Sequence, residues 1–244
     1  MKLSFCVDCR GRLYHLRQTI RENLDAIKLD GDSEMIVLNY NSQDSMDWFM
    51  KQFSAEIKSG VLTYLHEKTA PYYHVSRAHN ITHFYAKGDY VINLDSDNYI
   101  DGNIESARKI WTDSPDTVIH WNNSGVEPFE AFDGSFGRIG LSAGQYRKLG
   151  GYDEQWIPFN GADEDLIGRA KIAGYEVKVI NKAVSAIYNE WSFERTGGIV
   201  NNKRDATMCA SVLLKVRREN GIYEVNMFRK PVTVTLNWDK EIPV

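Results

Sequence analysis

YVINLDSDNYI, residues 90–100, is a mostly apolar run that ends in Asp95, Ser96 and Asp97. Residues 90–94 are apolar enough to read as a strand buried on both faces, the pattern of a parallel sheet. Two carboxylates one residue apart at the end of such a strand can share a divalent cation, and that cation can hold a diphosphate. The plain alternative is a polar turn that closes the strand, because Asp, Ser and Asn are common turn formers. Position favours the metal, since ligands of α/β sheets bind beyond the carboxyl ends of the strands, where helix N-termini present free N–H groups.

The segments before this stretch repeat one unit. Residues 3–7 read as a strand, and Leu13, Leu16, Ile20, Leu24 and Ile27 then recur at helical spacing until Gly31. Residues 35–38 form a second strand, followed by Met46, Phe49, Met50, Phe53 and Ile57 on one helical face. Residues 61–65 are a third strand and 75–87 a helix. Strand and helix alternate, so the fold class is α/β with a largely parallel central sheet flanked by helices. Beyond residue 115 the alternation weakens into a Gly-, Asn- and aromatic-rich stretch, 121–161. A helix near 163–173, a loop near 188–202, a helix at 203–219 and strands near 223–228 and 232–237 follow.

Length and composition fit this picture. The 244 residues suffice for one large α/β domain, divided into 1–100, 101–200 and a C-terminal helix with strands, 201–244. Charged residues make up 25% and the formal net charge is -4, which speaks against a nucleic-acid partner. No run approaches the ~20 apolar residues of a membrane span, and the N-terminus lacks the apolar core of a signal peptide. Three cysteines, Cys6, Cys9 and Cys209, are too few and too odd in number for a disulfide framework. The expected setting is the cytoplasm, with peripheral contact to the inner face of a membrane left open.

The first strand-to-helix turn, DCRGRLYHL (8–16), has a single glycine, so a Gly-x-Gly-x-x-Gly dinucleotide fingerprint is absent, as is a Walker-type loop. A carboxylate-held metal is then the natural phosphate binder, and Mg2+ or Mn2+ suits hard oxygen ligands. A second acidic cluster, Asp163, Glu164 and Asp165, follows Asn160. It reads as the first turn of a helix capped by Asn160, where carboxylates favour the dipole, or as a source of a general base. His79 and His83 stand at i, i+4, but no HExxH motif accompanies them, so zinc is not expected. Cys6 and Cys9 straddle a strand end rather than open a helix, which disfavours a redox role.

SFCVDCRGRLYHLRQTI, IVLNYNSQD, SRAHNITHFYAKGDYVINLDSDN and LGGYDE…FNGADEDLIGR occur in an order that resembles family 2 glycosyltransferases and the galactosyltransferase-like group, over roughly residues 3–175. The resemblance implies a GT-A (Rossmann-like) fold, a nucleoside diphosphate sugar donor with UDP favoured, Mn2+ or Mg2+, and inversion at the anomeric carbon. It places the donor in the first hundred residues and the acceptor over 101–200. Asp95, Ser96 and Asp97 fall on the Asp-x-Asp motif, with Asp95 and Asp97 as metal ligands. Arg77 and Asn80 fall on the Arg-x-x-Asn element beside nucleotide and phosphates; Arg77 is either a phosphate fork or an exposed helix arginine. Asp163 falls on the catalytic base, with Ala162 where a glutamate is usual. Asn39 stands where relatives carry a base-binding Asp, and Asp8 contacts base or ribose or caps the helix after it. The loop 187–198 lacks the histidine some relatives supply to the metal; Glu190, Asn189 or water takes that place. The Gly197-Gly198 pair beside Trp191 and Arg195 suggests a lid. Phe159 and Trp156 are stacking candidates, and Trp121, Asn122, Asn123, Phe129, Glu130 and Phe132 are acceptor candidates.

The expected protein is therefore a glycosyltransferase acting on a glycan, lipid-linked or protein hydroxyl, in polysaccharide or other glycan biosynthesis. The rivals are a nucleotidyltransferase, which would want a Gly-rich basic loop after the first strand, a glycoside hydrolase, and a non-catalytic sugar- or nucleotide-binding module.

Overall fold

Nine strands form one sheet in the order β7-β5-β6-β4-β1-β2-β3-β8-β9. In chain order these are β1 (Leu3–Cys9), β2 (Ser33–Tyr40), β3 (Leu62–Glu67), β4 (Tyr90–Asn93), β5 (Val118–Trp121), β6 (Ile139–Ser142), β7 (Val177–Ile180), β8 (Thr233–Leu236) and β9 (Lys240–Pro243). The helices are α1 (Leu13–Asp30), α2 (Met46–Met50), α3 (Ser54–Ser59), α4 (Val75–Tyr85), α5 (Asn103–Asp113), α6 (Ala143–Leu149), α7 (Ala162–Ile172) and α8 (Lys203–Asn220). This computed structural model describes residues 1–100, 102–121, 137–155, 161–180, 187, 203–225, 232–238 and 240–243, with 203–211 and 240–243 as backbone alone.

The central strands β4, β1, β2 and β3 are parallel, and β6 and β8 alone among these nine run against the rest. Every residue of β1 and β2 is buried, because helices cover both faces. Side chains alternate across the sheet. Leu3, Phe5, Val7, Met35 and Val37 join the core under α1, α2 and α5, while Cys6, Ile36 and Leu38 join the core under α4, α6 and α7. Trp111 and Trp121 are fully buried in the first of these cores, so Trp121 is a packing residue and not an acceptor contact.

Local sequence explains most element ends. Leu16, Ile20, Leu24 and Ile27 are buried at α1's helical spacing, each contributing about 1.5–3 kcal/mol by leaving water. Gly31 then ends the helix at φ 76°, in the left-handed region that glycine adopts without strain. The periodic residues 46–57 do not make one helix; Lys51–Phe53 tighten into a 3-10 turn between α2 and α3. Residues 223–225 are not a strand: they run as coil against α6, where the Val225 N–H donates to Leu149 O at 3.1 Å. At the start of α7 the capping position is held by Gly161 at φ 102°, without a side-chain cap, rather than by Asn160, which lies outside the described residues.

Candidate active site

The loop after β4 is fixed from beneath by α1. Leu94 N–H donates to Cys6 O at 2.9 Å and so prolongs the β1 pairing by one residue. Thr19 Oγ1 donates to Ser96 O at 2.8 Å, Asn23 Nδ2 donates to Asn98 O at 2.9 Å, and Asn23 Oδ1 accepts from Ile100 N–H at 2.8 Å. A turn held at three points by buried side chains presents its carboxylates in one orientation. Asp97 Oδ1 accepts from Asn98 Nδ2 at 2.8 Å, and Asn98 Oδ1 accepts from the buried Arg138 at 3.0 Å. Arg12, just ahead of α1, approaches Asp97 Oδ2 at 3.8 Å. Asp95 is partly open, with Gly137 over it; a Cβ at Gly137 would come within 3.2 Å of Asp95 Oδ2.

Asp163 reaches the same place from the first turn of α7, and among the described residues its buried Oδ1 has no hydrogen-bond partner. Burial raises Asp95 to about 7, with the charges of Asp97 and then Asp163 adding to the effect. Burial also raises Asp163 to about 6, opposed by the His79 charge and by the Tyr152 hydroxyl beside it. Protein mass surrounds both carboxyls, yet each keeps some accessible surface, as groups facing a cleft do. A buried carboxyl whose ionisation two neighbouring carboxylates oppose, as Asp97 and Asp163 do at Asp95, marks a site that gains from a cation.

The positive charge that favours ionisation of both Asp95 and Asp163 is that of His79. Its Nδ1 lies 2.5 Å from Asp8 Oδ1, both side chains being 4% exposed, and Tyr73 donates its hydroxyl to the other Asp8 oxygen. Burial alone would lower His79, but the Asp8 charge and hydrogen bond outweigh it and carry the imidazole up to about 9. Asp8 thus neither caps α1 nor faces the cleft unpartnered; it holds an imidazolium. Its neighbour His83 has no such partner, and burial with the His79 charge pushes it down to about 3.

The remaining sequence candidates divide. Arg77 is half-buried, with Nη1 3.4 Å from Glu154 Oε2. Asn80 is fully buried and all its polar capacity is used: it donates to Tyr152 O and Glu154 Oε1 and accepts from the Tyr146 hydroxyl and Tyr152 N–H. It is a strut under the loop 150–155, and its expected place beside the donor is one that this buried, fully bonded side chain would serve through that loop. Asn39 accepts from Ser42 N–H at 2.8 Å and donates to Asp47 at 3.3 Å, so it shapes the loop after β2. Asp165 and Arg169 pair at 2.8 Å with no exposure, and Arg217 of α8 bridges Asp165 and Asp153. Glu190, Asn189, Trp156, Phe159, Asn122, Asn123, Phe129, Glu130, Phe132, Trp191, Arg195, Gly197 and Gly198 lie outside the described residues.

The donor set at Asp95 and Asp97, two hard oxygen ligands at a strand end, fits Mn2+ or Mg2+ with substrate phosphate completing the shell. Among the described residues no third His, Cys, Asp or Glu joins them in a metal-ligating group. Cys6 and Cys9 are free thiols, and burial raises both, which leaves them inert.

Solved structures share this architecture. Staphylococcus aureus TarS 1–349 in complex with UDP-GlcNAc matches with a TM-score of 0.66 and 14% identity, over 91% of this chain and 69% of that one. The mannosyltransferase PcManGT from Pyrobaculum calidifontis, in complex with GDP-Man and Mn2+, gives 0.63 and 13% over 90% and 71%. Drosophila β1,4-galactosyltransferase 7, in complex with manganese, UDP-Gal and xylobiose, gives 0.55 and 15% over 84% and 79%. The fold is GT-A. No protein-family model and no curated protein sequence matches the chain. The chain spans 60% of TarS 1–349 in another of its structures and 41% of the longer TarS.

Proposed function

We propose that this chain is an inverting, metal-dependent glycosyltransferase that moves a sugar from a nucleoside diphosphate sugar, UDP-linked in the first instance, to a hydroxyl of a glycan, lipid-linked or protein acceptor. The observation that carries the proposal is the meeting of Asp95 and Asp97 from the β4 loop with Asp163 from α7, at the carboxyl edge of the sheet. Its neighbours in fold include proteins bound to UDP-GlcNAc, to GDP-Man with Mn2+ and to UDP-Gal with manganese.

A divalent ion at Asp95 and Asp97, with Glu190 as a third ligand, would supply charge against the departing diphosphate. The protein's own groups do the rest. Asp163, raised to about 6, is mainly ionised at neutral pH yet basic enough to take a proton from the acceptor hydroxyl. As that O–H bond breaks and its proton passes to Asp163, the acceptor oxygen bonds to the anomeric carbon while the bond from that carbon to the diphosphate oxygen breaks, its electron pair leaving on the nucleoside diphosphate. The Ser96 backbone, fixed by Thr19, keeps the two metal-binding carboxylates in register. Arg77 and Arg12 border the phosphate side, and Asn39 positions the loop that would face the base. Asp8 acts through His79, and Asn80 acts through the loop 150–155.

The test is release of nucleoside diphosphate from UDP- and GDP-sugars with Mn2+, in the presence of simple glycan acceptors. Asp163→Asn is expected to lower turnover by about 10²–10⁴-fold while nucleotide affinity stays within about twofold. Full turnover in Asp163→Asn would remove Asp163 from the base role.

A further inference from the structure

The loop that carries Asp95 and Asp97 is held by Thr19 and Asn23 of α1 and also by the entry of β6. Asn93 Nδ2, at the end of β4, donates to Gly137 O at 3.0 Å. Arg138, 1% exposed, donates through Nη2 to Tyr99 O at 2.7 Å and to Asn98 Oδ1 at 3.0 Å. Asn98, fully buried, donates through Nδ2 to Asp97 Oδ1 at 2.8 Å. Three side chains thus stand in a line, from cation to amide to carboxylate. A carboxamide has one accepting and one donating end, and a guanidinium only donates. Arg138 therefore draws the Asn98 oxygen to itself and leaves the NH2 for Asp97. The Asn98 main chain is fixed as well, since its N–H donates to Asp95 O at 3.0 Å and its O accepts from Asn23 at 2.9 Å. Turning the amide over would set its NH2 against a guanidinium and its oxygen against a carboxylate. The result is a carboxylate with two unlike oxygens: Oδ1 is engaged by a buried donor, and Oδ2 is turned toward Arg12, 3.8 Å away.

We propose that Arg138 and Asn98 are positioning residues that keep Asp97 a one-oxygen metal ligand, through Oδ2, and so select Mn2+ or Mg2+ over Ca2+. The proposal rests on the metal reading given above. In oxygen sites Mg2+ and Mn2+ favour an octahedral shell with short bonds, which the narrow bite of a chelating carboxylate distorts. Ca2+ takes about six to eight oxygens in a looser shell and accepts both oxygens of one carboxylate. Holding Oδ1 on Asn98 denies Ca2+ that second oxygen and leaves the octahedral ions what they need. Arg138 stands 40 residues from Asn98 in the chain, so the strand-end motif Asp95–Asp97 does not reveal it.

The test is isothermal titration of UDP and of GDP into the full chain in Mn2+, in Mg2+ and in Ca2+, for wild type, Asn98→Ala, Arg138→Met and Thr19→Val. Comparing variants with wild type cancels the affinity of each ion for the nucleotide in water. Thr19→Val loosens the same loop but leaves the line from Arg138 to Asp97 intact, so it should weaken binding in all three ions alike. Asn98→Ala and Arg138→Met should each lower the ratio of Mn2+-supported to Ca2+-supported affinity by about tenfold, with circular dichroism unchanged. Asn98→Ala leaves Arg138 its bond to Tyr99 O and so carries the test should Arg138→Met fail to fold. A ratio in Asn98→Ala equal to that of wild type, or moved no further than in Thr19→Val, overturns the proposal and leaves the metal reading standing. Nucleotide binding in wild type that is absent, or indifferent to the metal, overturns both.

Discussion

His79 and His83 sit one helical turn apart in α4 and differ in one contact, the Asp8 carboxylate. That contact holds His79 charged and leaves its neighbour neutral, stacked on Tyr146 at 4.6 Å between centroids. The consequence for stability has opposite signs. His83, lowered to about 3, is neutral when folded, so its share of stability is full above the ordinary value near 6.5 and is lost as pH falls toward 3. His79, raised to about 9, contributes a share that is full below 6.5 and is lost as pH climbs through 9. Asp95 and Asp163, raised to about 7 and about 6, act in the same direction as His79, since the folded state must ionise them in confinement. Urea midpoints measured against pH in EDTA should show the acid limb flattened in His83→Phe, by roughly 3 kcal/mol at pH 4. The alkaline limb should be flattened in His79→Gln. Identical pH curves for wild type and both variants would refute these assignments. The Asp8–His79 pair spans 71 residues, which is why a sequence reading sees two helical histidines and an isolated strand-end acid.

At the scale of elements, α7 and α8 are joined by charge as well as by apolar packing. Arg169 donates to Leu149 O and Gly151 O and pairs with Asp165, and Arg217 crosses from α8 to Asp165 and Asp153, all with almost no exposure. Removing one partner strands a buried charge. Arg217→Met is therefore expected to cost roughly 3–5 kcal/mol in chemical denaturation, and to loosen the helix that carries Asp163. A loss below about 1 kcal/mol would mean that the cluster is solvated in solution. The same sequence pattern, Asp165 with Arg169, resembles a family signature near the catalytic base; here both residues hold helices in place. α2 shows the limit of periodicity as evidence. Met46, Phe49, Met50 and Phe53 are buried as the spacing requires, but the backbone between them tightens to a 3-10 turn.

Across the whole molecule, legibility follows strand burial and length. β1, β2, β3 and β4 are apolar enough to be recognised, and all are central strands. β5, β6 and β7 have four residues each, like β4, but lack the longer apolar run ending in Asp95 that marks β4 in the sequence, and β6 pairs β4 in the antiparallel direction. α5 and α6 also escape a sequence reading, although α5 buries Ile104, Ala107 and Trp111. The Asp95–Asp97 pair is legible because it directly ends a buried strand. Its approach to Asp163 is not, because α7 reaches that edge only through the packing of α6 and the loop 150–155. Metal and nucleotide should accordingly bind as one event at the edge where β4 and α7 meet. The most direct measurement is isothermal titration of UDP and GDP into the purified chain, with Mn2+ and with EDTA, repeated on Asp97→Ala. Mn2+-dependent binding of one nucleotide, lost in Asp97→Ala, is the predicted result; absence of nucleotide binding in both conditions, or equal binding by Asp97→Ala, would contradict the account.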